Sequence, residues 1–167
     1  MNMMRSRTEK ITCVSVLTAA GLILSYIESF IVIPVSVPGI RIGLANISTL
    51  LALYMCGPVY ALCVTVIRVI LASVLFQTPV SFIYGIAGGG LALFGMLISR
   101  RTGFSVYGVS VTGAVLHNFA QTVVAALFVG NIYVFTVFPV LAASGVAAGL
   151  LTGLAASALL GRLKEIL

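Results

Sequence analysis

A chain of 167 residues that is 61% hydrophobic and 7% charged, with a mean hydropathy of +1.25, carries more apolar surface than a soluble fold of this size can bury. Soluble domains are about 25% charged, so the composition excludes a soluble globular domain and points to an integral membrane protein. The net charge of +6 does not indicate nucleic-acid binding, because seven of the nine cations cluster at the ends of apolar runs, where they act as topology signals.

Lipid forces every backbone group to find a partner within the protein, so the spans must be helices or a closed barrel. Long unbroken apolar runs select helices over the alternating segments of a barrel. Six spans are expected. The first covers residues 11–33 and is ended by Pro34 and Pro38, which cannot continue a helix. It carries Glu28 and is too long for a cleavable signal peptide. The second, residues 44–56, is short for a bilayer and stops at "CGP". The third, 59–76, ends at "QTP"; the fourth, 80–99, contains three glycines in a row at 88–90. The fifth covers 105–129. The sixth covers 134–160 and holds the small-residue stripe "SGVAAGLLTGLAAS", of the kind that lets helix backbones approach closely. The whole chain is then one transmembrane domain.

With six spans, Arg5, Arg7 and Lys10 fall on the same side as Arg100 and Arg101 and as Arg162 and Lys164. The positive-inside rule makes that side cytoplasmic, so both termini are expected inside a multi-pass cell-membrane protein. The opposite loops hold only Arg41.

This orientation sorts the polar residues by depth. Glu28 lies in the outer half of the first span, Asn46 just past Arg41 at the outer start of the second, and Arg68 near the middle of the third. His117 and Asn118 lie at mid-depth in the fifth span, Gln121 further out. Charges at such depth are costly unless paired or hydrated, and they mark functional sites. Glu28, Arg41, Asn46, Arg68, His117, Asn118 and Gln121 are therefore expected to form one outward-facing substrate pocket. Arg68 suits an anionic ligand, since its planar fork binds carboxylate or phosphate through two hydrogen bonds. Structural readings stand beside this one: Glu28 as the partner of Arg68, Arg41 as an interfacial anchor, and His117 and the amides as interhelical hydrogen-bond formers. Tyr26, Tyr84 and Phe119 are candidates to stack on a ring. Cys13, Cys56 and Cys63 lack metal-type spacing, and no metal, cofactor or catalytic residue is expected.

Several stretches occur together and in order: "SYIES", "PGIRIGLANI", "LLALYMCG", "VIRVILASVLF", "IAGGGLALFGM" and "GVSVTGAVLHNFAQ". In these the chain resembles the Gx transporter family, labelled heptaprenyl diphosphate synthase component I, over about residues 11–160. Its usual lysine in the second motif is Arg41 here, which keeps the charge. That family is similar to the substrate-binding S components of energy-coupling-factor (ECF) vitamin transporters. The resemblance implies a six-helix S-component-like bundle with an outward pocket, a transmembrane coupling protein and two cytoplasmic ATPases as partners. It also implies that small residues on the first helix, nearest matched by Ser15 and Ala19, contact the coupling protein.

The residues themselves argue against a prenyl synthase. Such enzymes hold Mg²⁺ through carboxylate-rich motifs, and this chain has no Asp, with Glu9, Glu28 and Glu165 as its only acids. No Gly-rich loop runs into Lys-Ser or Lys-Thr, so ATP-driven transport would need partner subunits. The expectation is a non-enzymatic binding subunit that takes up a small anionic, vitamin-like or cofactor-like molecule. The alternatives are a membrane accessory to isoprenoid or quinone biosynthesis and an autonomous carrier, for which no matched pair of broken helices is evident.

Overall fold

The computed structural model describes residues 6–30 and 43–166, with side chains as far as Leu163. Among these residues the regular structure is helical throughout. The helix α1, Arg7–Ser29, starts one turn before the first expected apolar residue because "SRTE" forms a capping box: the Ser6 hydroxyl accepts from the Glu9 amide at 3.1 Å and the Glu9 carboxylate from the Ser6 amide at 3.2 Å. Its expected extension to residue 33 lies outside the described residues, as do Pro34, Pro38 and Arg41. The next three helices are α2, Asn46–Met55, α3, Pro58–Leu75, and α4, Pro79–Arg101. Both α3 and α4 begin on proline, whose missing N–H has no role at that position. Helix α5, Val106–Val129, is capped by Ser105 and closed by Gly130 in the left-handed conformation (φ 68°). A 3₁₀ turn, Ile132–Val137, leads into α6, Phe138–Ile166, which continues nearly two turns past the expected end at residue 160 and carries Arg162 with it.

Five segments are long and apolar enough to cross a membrane: α1, α3, α4, α5 and the 3₁₀ turn with α6. Large apolar side chains such as Val74, Leu127 and Leu154 face outward, which is the exterior of a lipid-embedded bundle. Helix α2 is different. Its ten residues rise about 15 Å, half of the hydrocarbon thickness of about 30 Å. It sits inside the bundle, with Leu50, Leu53 and Met55 buried against Cys56, Val64, Met96 and Val109.

Both ends of α2 are therefore buried, and buried helix ends need partners for their unpaired amides and carbonyls. The carboxylate of Glu28 accepts from the backbone amides of Gly43 and Leu44, which lead into α2, the latter at 3.3 Å. At the other end the Arg100 guanidinium donates to the Leu53 carbonyl and lies 4.5 Å from the centre of the Tyr54 ring. An acid at the N-terminus and a cation at the C-terminus also oppose the helix dipole, a favourable arrangement at each end.

The small-residue stripe of α6 faces α5. A Cβ at Gly149 would lie 2.7 Å from the Val111 Cα, and one at Gly145 3.3 Å from the Ala114 carbonyl oxygen. The two backbones touch there, as expected for helices packed in lipid. Hydroxyl pairs add to the packing: Ser110 to Thr152 at 2.9 Å between α5 and α6, and Thr49 to Thr65 at 2.8 Å between α2 and α3.

Candidate functional site

Because α2 is short, its first turn starts well inside the bundle, at the end opposite the termini. The space between that turn and the neighbouring helices is a polar cavity. Gly43 makes the entry to α2 possible: its φ of +87° disfavours any other residue, and a Cβ there would lie 3.1 Å from the Asn46 amide nitrogen and 3.3 Å from the His117 ring. The α2 amides of Asn46, Ile47 and Ser48 bond back to Gly43, Leu44 and Ala45 at 3.0–3.2 Å. With Gly43 and Leu44 held by Glu28, this helix start already has its counter-anion.

Arg68, 6% exposed, reaches in from α3 and donates from Nη1 to the Ser25 hydroxyl at 3.2 Å. It fits because Gly21 leaves room on α1; a Cβ at Gly21 would be 2.7 Å from the Arg68 Cδ. On α5, the Nε2 of His117 and the Nε2 of Gln121 are 2.9 Å apart, one turn from each other, and both side chains are buried. Gly88 on α4 makes space for the imidazole, since a Cβ there would be 2.7 Å from its Cε1. Asn46 is 4% exposed, and its Nδ2 has no hydrogen-bond partner among the described residues. Such an orphaned donor in a polar void is a place for water or for a ligand oxygen.

Of the seven pocket residues expected from the sequence, Glu28, Asn46, Arg68, His117 and Gln121 line this single cavity. Arg41 lies outside the described residues. Asn118 points away, toward α6, where its Nδ2 donates to the Leu141 carbonyl at 2.7 Å and its Oδ1 is buried without a partner among the described residues. The aromatic candidates are elsewhere. Tyr26 packs edge-on against Phe30 and Phe76, Tyr84 stacks with Phe128, and Phe119 meets Phe135 and Phe138. Ser15 and Ala19 are exposed on one face of α1, the Ser15 hydroxyl bonded to the Ile11 carbonyl at 3.1 Å.

Sequence reasoning missed the small residues that shape the cavity. A signal for them was present. Gly21, Ser25 and Glu28 recur at i, i+4 and i+7 on α1, and Ser81, Gly85 and Gly88 repeat that spacing on α4. Each set lies on one helix face.

The family model for heptaprenyl diphosphate synthase component I matches residues 17–159, from within α1 to near the end of α6. The chain belongs to this family. No curated protein and no solved structure matches it. The matched range includes every described residue of the cavity, and the word "component" in the family's name implies a partner subunit. Glu28 is the only acid among the described residues that line the cavity, and no group of three His, Cys, Asp or Glu gathers among the described residues. What the site offers a ligand is a guanidinium, an imidazole and amides.

Proposed function

We propose that this protein is the membrane-embedded, S-component-like substrate-binding subunit of an ECF-type transporter. It is a six-helix bundle with both termini cytoplasmic, and it captures a small anionic, vitamin-like or cofactor-like molecule from outside. It is not an enzyme, and transport is driven by a transmembrane coupling protein and two cytoplasmic ATPases, with Ser15 and Ala19 on the contacting face of α1. One observation carries the reading: polar side chains from four helices, Glu28 of α1, Asn46 of α2, Arg68 of α3 and His117 with Gln121 of α5, line a common cavity. Scattered interhelical hydrogen bonds would not need to converge. Arg68 takes the anionic group; Asn46 and Gln121 orient it; Glu28 fixes the start of α2.

The cavity measures about 20 Å³, room for a water molecule. Small-molecule sites occupy roughly 300–1,000 Å³, so ligand entry widens it. A closed and an open state are what a subunit that occludes its cargo needs. The test is purification from native membranes in mild detergent, followed by native mass spectrometry. A coupling protein, two ATPases and a retained small molecule are expected.

The family's name favours a second reading, a membrane accessory subunit in isoprenoid or quinone biosynthesis. It predicts co-purification with a soluble prenyl synthase instead, and loss of prenyl product when this chain is deleted. Proton-driven uptake by the purified chain alone would point to an autonomous carrier.

A further inference from the structure

Helices α3 and α4, joined by the turn at residues 76–78, are pressed together midway. At the crossing, a Cβ on Gly85 would lie 2.7 Å from Val69 Cγ1, and one on Gly89 2.7 Å from Thr65 Cγ2. Past it lies an open cleft of about 590 Å³, walled by Ile70, Ser73 and Val74 of α3, Gln77 of the turn, and Pro79 and Phe82 of α4. The three α3 residues follow i, i+3 and i+4 and so form one helix face. The only hydroxyl among these six residues is turned away, bonded from Ser73 to the Val69 carbonyl at 2.7 Å. Val74 lines the open side of the cleft, at 78% exposure. Gln77 is half-buried and lines this apolar cleft and the polar cavity alike. A single carboxamide side chain thus borders both the buried polar cavity that holds Arg68 and a hydrocarbon-lined opening in the bundle wall.

We infer that cavity and cleft are two halves of one site for an amphiphile, with a compact anionic head at Arg68, a flexible hydrocarbon tail between α3 and α4, and Gln77 as the movable partition. This rests on the ligand-binding role proposed for the cavity. Size supports it. A void of about 20 Å³ cannot enclose a bulky molecule, whereas a small head needs only the Gln77 side chain to swing aside. The tail needs no enclosure, because it stays in the cleft at the edge of the bilayer. Lipid chains are as apolar as the cleft, so burial from the bilayer drives nothing by itself. The cleft acts by shape, holding the tail in line so that the head meets the guanidinium.

The test is equilibrium binding of decyl phosphate and of ethyl phosphate to the purified chain in nanodiscs of zwitterionic lipid. Variants are Val74→Trp, which fills the cleft, and Arg68→Ala. Obstruction of an apolar pocket typically changes binding by about tenfold or more. The expected pattern is a loss of about that size for decyl phosphate in Val74→Trp, ethyl phosphate unchanged there, and loss of both in Arg68→Ala. Ser73→Leu and Arg68→Gln replace either variant that fails to fold. If both phosphates need Arg68 and neither senses the cleft, the amphiphile site is wrong and the polar cavity stands. Decyl phosphate binding that senses the cleft but not Arg68 marks an ordinary lipid contact and overturns the joint site. If neither phosphate binds, the anion-binding cavity itself fails.

Discussion

Arg68 carries a fixed charge into the bundle, and a guanidinium cannot shed it by losing a proton. Its position depends on Ser25, which accepts its hydrogen bond, and on Gly21, which leaves it room. Arg68→Ala is expected to abolish retention of the ligand in native mass spectrometry while circular dichroism still shows a helical bundle. Arg68→Lys keeps the charge but not the fork, so it should retain ligand weakly. Unchanged retention in Arg68→Ala would remove the anion-binding role. The imidazole invites a subtler change. Gly88→Ala adds one methyl 2.7 Å from the His117 Cε1. Alanine favours helix over glycine by about 1 kcal/mol, whereas overpacking costs about 1–3 kcal/mol. The expected result is a folded, modestly destabilised protein whose displaced imidazole no longer meets Gln121, with ligand retention reduced. A variant that binds normally would show that the His117–Gln121 contact does not shape the site.

Helix α2 derives its position from charges on other helices. Glu28→Ala leaves the Gly43 and Leu44 amides without acceptors, and a hydrogen bond to a charged group contributes about 1.5–3 kcal/mol. Glu28→Gln retains an acceptor oxygen and should cost less. Arg100→Ala removes the donor to Leu53 and the cation over Tyr54. The two clamps are separated by the length of α2, about 15 Å, so their effects on thermal unfolding should add. A double variant no less stable than the worse single would mean that α2 is not held from both ends. The sequence showed where the long helices run, because hydropathy and the prolines at positions 58 and 79 mark them locally. It could not show that the Glu28 carboxylate serves the start of α2, since that contact joins residues fifteen apart and exists only once the bundle has packed. The divergence of His117 and Asn118 was legible, because adjacent helical residues point about 100° apart. Which of them faced the cavity was not, because that depends on where α6 docks. The cavity's small residues were written at helical spacing but carry no charge to draw notice.

The bundle has a distinct polarity. Arg7, Lys10, Arg100, Arg101 and Arg162 gather at the end that holds both termini and the α4–α5 connection, and the cavity lies toward the other end. The positive-inside rule assigns the cationic end to the cytoplasm. Capture from outside depends on that assignment, and it can be tested without knowing the ligand. In a background with Cys13, Cys56 and Cys63 replaced by alanine, a single cysteine is introduced at exposed Tyr133 or at exposed Phe104. Tyr133 lies in the 3₁₀ turn between α5 and α6, and Phe104 in the α4–α5 connection. Intact cells treated with a membrane-impermeant maleimide should label Tyr133→Cys at once and Phe104→Cys only after permeabilisation. The opposite pattern would turn the bundle over and open the cavity toward the cytoplasm. Uptake of an external molecule would then lose its geometry, and an accessory subunit meeting a soluble synthase at the cytoplasmic face would gain it. The same two cysteines therefore decide between the readings on physical grounds, because a pocket can only receive what its open side faces.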